Sequence, residues 1–210
     1  NPRLIETYIA IRDDWQRVVT LLESMQKLHS KSFYYAERDR VRLKPHTRAA
    51  QFLYLNRTCW NGLYRENLRG KFNVPIGTKT QVVLPDDNFS ETSKLLQNAD
   101  IRACDFEETL FDARSGDLVF IDPPYTTAHN TNGFVKYNQK IFSWDDQLRL
   151  YRCIGAAKAR GARVVLTNAD HASIRELYAD LGTPEIVSRR SVISGSAFAR
   201  GTTTEVLYVF

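Results

Sequence analysis

The 210-residue sequence predicts an α/β fold whose sheet is mostly parallel and closes with an antiparallel strand pair. Two observations carry this prediction. In the second half of the chain, short segments rich in β-branched residues alternate with segments of helical periodicity, as strands and helices do in a parallel sheet. The last two apolar segments are joined by a loop without a helical pattern, which is typical of an antiparallel pair at the edge of a mixed sheet.

The first half of the chain predicts helices followed by a small hairpin. Residues 3–28 carry apolar side chains at helical spacing and predict one or two amphipathic helices, and residues 46–57 predict another. In residues 60–77, Gly, Asn and Pro separate short apolar pieces, which predicts a loop and a hairpin.

The second half supplies the strands. Buried strands are predicted at 117–121 and 163–167, helices at 144–159 and 172–181, and the closing strands at 186–193 and 203–210.

Composition limits the functional classes. The net charge of +5 and the pI near 9.1 are compatible with a polyanionic partner. Basic and aromatic residues share one stretch: Arg57, Arg65, Arg69, Lys71 and Lys79, with Trp60, Tyr64 and Phe72. No apolar run approaches the ~20 residues of a membrane span. The three cysteines and four histidines lack metal-ligand spacing, so we expect a cytoplasmic protein with reduced thiols, no bound metal and no obligate protein partner.

The motif that carries chemistry is Asp122-Pro123-Pro124-Tyr125, directly after the predicted strand 117–121. Ligands of open α/β sheets bind at the carboxyl ends of strands. Each proline fixes its own φ and restricts the residue before it, so this loop is stiff. The alternative interpretation is a proline-rich turn in which Asp122 caps a backbone group.

A stiff pair of acceptors suits the binding of a planar amino group. The Asp122 carboxylate and the Pro123 carbonyl can each accept one amine hydrogen, while Tyr125 offers a ring on which a base stacks. Acceptors that favour a tetrahedral nitrogen restore lone-pair density to an otherwise weak nucleophile. The motif therefore predicts the methylation of an exocyclic amine.

Four segments resemble the DNA-adenine methyltransferases of the Dam type. Asp-Pro-Pro-Tyr after an apolar strand is similar to the catalytic motif of amino-methylating enzymes. The target-recognition region of the family is similar to Phe52-Leu53-Tyr54-Leu55-Asn56-Arg57, to Trp60-Asn61-Gly62-Leu63-Tyr64-Arg65 and to residues 67–77. The resemblance covers nearly the whole chain, in the family's order of recognition segment first and catalytic motif second.

This resemblance implies a Rossmann-like, S-adenosylmethionine-dependent methyltransferase sheet and a small helical and hairpin lobe that recognises the target. It implies that Asp122, Pro123, Pro124 and Tyr125 hold a flipped adenine, and that Asp105, Phe106 and Asp122 contact the cofactor. The alternative for Asp105 is an N-cap of the Glu-rich turn that follows. The implied domains are residues 1–28 and 91–210 for catalysis and 29–90 for recognition.

The resemblance also implies the DNA contacts. Trp60 would enter the base stack, Arg65 would read a guanine, and Leu63 and Pro75 would touch a thymine methyl, with Asn61 bonding nearby. Lys79 is the expected phosphate contact. The alternative is a minor core of Trp60, Leu63 and Phe72 with Arg65 solvated. Residues 126–142 resemble the segment that closes over the extruded base.

The expected function is the methylation of adenine in double-stranded DNA, within a GATC-like site. In the family, a strand and a glycine turn that bind the cofactor precede a segment like residues 1–5, so we expect the first strand and the glycine turn to be absent and these residues alone to bind S-adenosylmethionine poorly. The alternative functions are a DNA-binding remnant without cofactor binding, and a methyltransferase acting on RNA or protein.

Overall fold

The computed structural model describes residues 1–67, 70–128, 142–190 and 202–210. These residues form two compact units, 1–103 and 104–210. The helices are α1 (Pro2–Leu28), α2 (Lys31–Asp39), α3 (Pro45–Thr58), α4 (Phe89–Leu96), α5 (Phe106–Asp112), α6 (Trp144–Ala159) and α7 (Ala172–Leu177). The strands are β1 (Leu118–Ile121), β2 (Arg163–Ala169), β3 (Glu185–Arg190) and β4 (Thr202–Val209).

The first unit is built on helix α1, which packs along α3. The Asn1 side chain caps α1 and Pro2 occupies its first turn, where a missing N–H costs nothing. Asp14 has non-helical φ and ψ of −157° and 55°, so two helical segments meet there at a kink. The prediction of one or two helices, and that of a helix over 46–57, are confirmed.

The sequence patterns do not predict two helices of this unit, α2 and α4. α2 begins after the N-cap Ser30 and buries Tyr34 together with the charged Glu37. Arg42 forms two hydrogen bonds with the Glu37 carboxylate, of 2.7 and 2.8 Å, which compensates the buried charge. A charged residue on the inward face breaks the apolar periodicity that would have predicted this helix.

The second unit is a four-stranded sheet of order β1-β2-β4-β3. β1 and β2 pair in parallel, with Ile121 opposite Leu166, whereas β4 runs antiparallel to both β2 and β3. The predicted closing pair is confirmed. The prediction of a mostly parallel sheet is wrong for the described strands, because β4 inserts between β2 and β3 and leaves one parallel pairing of three.

One face of this sheet is covered by helices. The shared core contains Leu110 of α5, Leu150 and Ile154 of α6, and Ile174 of α7. α6 has the predicted bounds, whereas α7 ends earlier than predicted. Parts of three predicted segments lie outside the described residues: 191–193 of the first closing strand, 194–201 of the loop between the closing strands, and 129–141 of the segment predicted to close over the extruded base.

Strand β1 is less buried than the sequence predicts. Leu118 and Phe120 remain 67% and 66% exposed, while Val119 and Ile121 face the core. The difference arises because β1 is the edge strand of the described sheet and only one of its faces is covered. β2 is buried as predicted, through Val164 and Leu166.

Within the part of the chain that the structure describes, no helix is both long and apolar enough to cross a membrane.

Candidate catalytic site and recognition hairpin

The Asp-Pro-Pro-Tyr segment follows Ile121 at the carboxyl end of β1, next to the corresponding end of the parallel strand β2. Asp122 is exposed, Pro123 is buried, and Pro124 and Tyr125 are half-buried. The buried proline fixes the loop to the unit while the carboxylate beside it stays accessible. This placement at a strand end is what the sequence predicts.

Two cavities open on the segment. The first, of about 320 Å³, is mainly apolar and is lined by Phe106, Ile121, Pro124 and Phe142 among others. The second, of about 520 Å³, is wide open and is lined by the four residues of the segment and by Glu205. Asp122 and Pro123 line both cavities. The acceptor groups thus lie between two spaces that can hold ligands.

The Asp122 carboxylate is aligned by a neighbour on β2. Thr167 Oγ1 donates a hydrogen bond of 2.7 Å to Asp122 Oδ1. This contact comes from a side-chain hydroxyl, so it is not the backbone cap of the alternative interpretation. A carboxylate with one oxygen held can present the other in a fixed direction.

Tyr125 stays neutral at physiological pH. Burial raises the pKa of its phenol; the hydrogen bond with Thr167 opposes this effect, and the nearby carboxylates of Glu205 and Asp122 reinforce it. A neutral ring beside the open cavity is suited to stacking on a base.

Asp105 caps helix α5, as the alternative interpretation held. Its Oδ1 accepts the Glu107 N–H at 2.9 Å, and it forms a capping box with Glu108. Arg149 also donates to both carboxylate oxygens, at 3.1 and 3.0 Å. The Glu107 N–H lowers the pKa of Asp105, and so does Arg149, which keeps the carboxylate ionised.

Phe106 differs from Asp105 because its ring lines the apolar cavity together with Asp122. The Arg149 guanidinium lies 4.4 Å from the centroid of this ring. One arginine therefore contacts two of the three residues for which a cofactor contact is predicted. No described contact tests that role for either residue.

The segment of the first unit that is predicted to recognise the target forms the predicted hairpin. Antiparallel bridges join Cys59 to Ile76 and Glu66 to Phe72, and a 3₁₀ turn spans Trp60–Gly62. The Trp60 N–H donates to the Pro75 carbonyl at 2.9 Å.

The side chains predicted to contact DNA are all exposed on this hairpin and its continuation: Trp60, Asn61, Leu63, Arg65, Pro75 and Lys79. The alternative of a minor core is wrong for Trp60 and Leu63, which are 54% and 40% exposed. Phe72 does pack inward, with its ring centroid 5.3 Å from that of Tyr64. Arg65 Nε donates to Asn73 Oδ1 at 2.9 Å. Asn61 adopts a φ of 54°, which Asn tolerates better than most residues.

The hairpin also depends on residues for which the sequence predicted no individual role. A Cβ on Gly77 would lie 2.5 Å from the Cys59 carbonyl oxygen, so only glycine fits the close approach of the two strands. Asn56 Nδ2 donates to the Gly62 carbonyl at 2.9 Å and holds the turn. Arg57, part of the basic stretch, instead pairs with Asp87 at 2.8 Å inside the unit.

A basic cavity of about 310 Å³ also lies in the first unit, lined in part by Tyr64 and Phe72 of the hairpin. Its basic residues are Arg3, Arg38, Arg40, Arg42, Arg48 and Lys71. Apart from Lys71, these residues belong to no basic stretch of the sequence, because they come from three helices and the loop between two of them. Several are compensated by carboxylates, as Arg48 is by Glu6 at 2.8 Å.

The chain combines a stiff acceptor loop at the end of a parallel strand with an exposed hairpin that bears aromatic and basic side chains. This combination is typical of nucleic-acid methyltransferases that act on amino groups. Residues 1–192 match the D12 class N6 adenine-specific DNA methyltransferases. The chain belongs to this family.

Curated relatives cover nearly all of the chain. It is 33% identical to the Type II methyltransferase M1.LlaDCHI of Lactococcus lactis subsp. cremoris, over 99% of the chain and 76% of that protein. It is 35% identical to M.MjaIII of Methanocaldococcus jannaschii, over 90% of the chain and 66% of that protein. The DNA adenine methylase of Serratia marcescens is 30% identical, over 100% and 79%.

Proposed function

We propose that this protein methylates the amino group of an adenine at a short specific site, GATC-like, in double-stranded DNA. The observation that carries the proposal is the accessible acceptor segment between two cavities, with Asp122 aligned by Thr167. The relatives are named as methyltransferases and methylases, which favours an enzyme over a DNA-binding remnant.

In this proposal the segment binds the adenine amino group. Asp122 and the Pro123 carbonyl accept its two hydrogens, and the half-buried Tyr125 stacks on the base. Each acceptor polarises an N–H bond and raises the electron density on nitrogen, a preorganised electrostatic effect. The nitrogen forms its bond to the methyl carbon as the sulfur–carbon bond of the donor breaks, and the amino group then loses one of its two protons. Pro124 keeps the loop stiff. The adenine must leave the duplex, because its amino group is inaccessible within the stack.

The apolar cavity fits an adenine-containing cofactor. Phe106 and Pro124 present flat apolar surfaces, and Asp122 adds one polar group. S-adenosylmethionine, when bound, supplies the methyl group. Of the three residues predicted to contact it, Phe106 and Asp122 line the cavity; Asp105 would contribute through a carboxylate that Arg149 already orients. The proposed chemistry uses no metal.

The exposed hairpin would read the target. Trp60 would enter the base stack, Arg65 would read a guanine and Lys79 would neutralise a phosphate, while Leu63 and Pro75 contact a thymine methyl and Asn61 bonds beside them. The basic cavity in the same unit adds positive potential for a polyanion.

The proposal also includes a Rossmann-like sheet and a cytoplasmic location. The parallel pair β1–β2 with α6 between its strands in sequence supports a Rossmann-like sheet. Bacterial relatives such as the Serratia marcescens methylase support a cytoplasmic enzyme. The proposed reaction itself calls for no obligate protein partner.

The test measures methyl transfer from labelled S-adenosylmethionine to duplexes that contain GATC, to duplexes with one changed base and to RNA of the same sequence. Asp122→Ala is expected to lose turnover by at least about a thousandfold while it still binds duplex DNA. Asp145→Asn, which alters an exposed carboxylate of α6, is the matched control. Wild-type turnover by Asp122→Ala, or equal transfer to RNA, would overturn the proposal.

A further inference from the structure

Two consecutive residues of β2 are connected to the catalytic segment, Thr167 directly and Asn168 through Gln147 of α6. Thr167 contacts Asp122 at the start of the segment. Asn168 is its neighbour in sequence, so its side chain lies on the opposite face of the sheet, where it is fully buried. The buried face also receives Gln147 of α6, which is equally inaccessible.

Gln147 connects Asn168 to the other end of the segment. Its Nε2 donates to Asn168 Oδ1 and to the Thr126 carbonyl, both at 3.3 Å. Thr126 directly follows Tyr125 in the chain. The Gln147 Oε1 accepts the hydroxyl of Tyr178 at 3.3 Å, so the amide uses both hydrogens and its oxygen.

Asn168 is fixed in turn by the backbone. Its Oδ1 accepts the Ala169 N–H at 2.9 Å in addition to the Gln147 amide. Thr126 is anchored a second time, because its Oγ1 donates to the Phe142 carbonyl at 2.7 Å. The polar contacts therefore converge on one residue of the loop, directly after the motif.

The energetics of burial argue against a purely structural role for Gln147 and Asn168. An amide removed from water gives up favourable hydration, and its hydrogen bonds return little more than that. Apolar side chains in place of the interacting polar ones would fill the same space without this cost. What the polar pair adds is direction, since hydrogen bonds specify where a carbonyl lies and apolar packing does not.

We propose that Gln147 and Asn168 are positioning residues for methyl transfer. They fix the Thr126 carbonyl, and through it the orientation of Tyr125 and the Pro123 carbonyl toward the base. The inference rests on the proposed function, because it assigns the pair to the same reaction. A shift of the loop by about 1 Å would be enough to lower turnover about a hundredfold.

The experiment compares Gln147→Met with Ile154→Val in the purified enzyme. Ile154 is buried on the same helix and belongs to the core of this unit, so its variant reports on lost packing alone. Gln147→Met is expected to lower kcat about ten- to a hundredfold and to leave KM for duplex DNA close to wild type, while the melting temperature falls because the buried Tyr178 hydroxyl and Thr126 carbonyl each lose a partner. Ile154→Val is expected to lower the melting temperature and to leave kcat unchanged.

Two further variants separate the possible failures. Gln147→Leu also removes both donors without adding a charge, and it replaces Gln147→Met if circular dichroism shows the latter to be unfolded. A folded variant of either kind with kcat within about twofold of wild type overturns the positioning role. Asp122→Ala is assayed in parallel: if it is inactive, that result leaves the proposed function intact, and if it is active, the proposed function itself fails.

Discussion

Thr167 and Asp122 are joined by a 2.7 Å hydrogen bond between neighbouring parallel strands, with the threonine hydroxyl as donor. Removing the hydroxyl in Thr167→Val frees the carboxylate to rotate. A hydrogen bond to a charged group contributes about 1.5–3 kcal/mol, so kcat is expected to fall about ten- to a hundredfold. Steady-state methyl transfer measures this loss, with KM for DNA expected to stay the same.

Thr167→Ser is the matched control for that variant, because it keeps the donor and loses one methyl group. It is expected to retain most of the wild-type kcat. Equal losses in the valine and serine variants would show that packing, and not the hydrogen bond, accounts for the effect.

Trp60 provides a second prediction. It is 54% exposed on the hairpin, so Trp60→Ala removes little packing within the unit. If the indole enters the base stack, its loss costs about 1–3 kcal/mol, which is roughly a ten- to a hundredfold weaker Kd for duplex DNA. Fluorescence anisotropy with a labelled duplex measures the Kd.

Trp60→Phe is the companion variant and is expected to bind within a few-fold of wild type, since a flat ring is kept. An alanine variant with unchanged Kd and unchanged site preference would exclude the stacking role of Trp60.

A pair of glycines tests the geometry of the hairpin. A Cβ on Gly77 would collide with the Cys59 carbonyl oxygen at 2.5 Å, whereas a Cβ on Gly155 within α6 would meet Leu181 at an ordinary 3.8 Å. Gly77→Ala is expected to lower the free energy of unfolding by about 1–3 kcal/mol and to weaken DNA binding. Gly155→Ala is expected to stabilise the protein by up to about 1 kcal/mol. Urea unfolding of both variants gives the comparison, and a neutral Gly77→Ala would contradict it.

The alkaline limit of stability depends on buried tyrosines. Burial raises the pKa of Tyr54 from 10.0 to about 12. Below pH 10 the phenol is neutral in both the folded and the unfolded chain, so its full contribution to the free energy of unfolding is present. Between pH 10 and about 12 the unfolded chain ionises first, so the free energy of unfolding falls as the pH rises through this window.

Tyr54→Phe removes one of these groups, so the free energy of unfolding is expected to decline less steeply between pH 10 and about 12. At pH 7 the variant is expected to be less stable than wild type, because its hydrogen bond of 2.8 Å with His29 is lost. Chemical denaturation at both pH values separates the two effects. Parallel pH profiles for the two proteins would show that Tyr54 does not titrate as described.

Much of the fold could be predicted because local patterns and tertiary structure agree. α6 begins at a capping box of Ser143 and Asp146, and its bounds match the prediction. Helix α2 was missed because Glu37 faces inward, compensated by an arginine from the loop that follows. The position of β4 within the sheet was missed because strand order depends on long-range pairing, which periodicity does not report.

In the candidate site, too, the features set by local sequence could be predicted and those set by long-range contacts could not. Asp122 and its prolines are recognisable because the chemistry is contiguous in sequence. Thr167 and Gln147 act on that segment from other elements, and neither belongs to a motif. A polar residue at the end of a strand adjacent to the motif was the available signal for Thr167; a glutamine within a helix gave none.

Because side chains alternate along β2, both the contact with Asp122 and the buried polar contacts of Asn168 depend on one alignment of β2 against β1. Sliding β2 by one residue against β1 would send the hydroxyl inward and the buried amide toward solvent, and both supports of the loop would be lost together. Deletions or insertions of one residue within this strand should therefore be far less tolerated than substitutions, since no neighbouring side chain can take over either task from the wrong face.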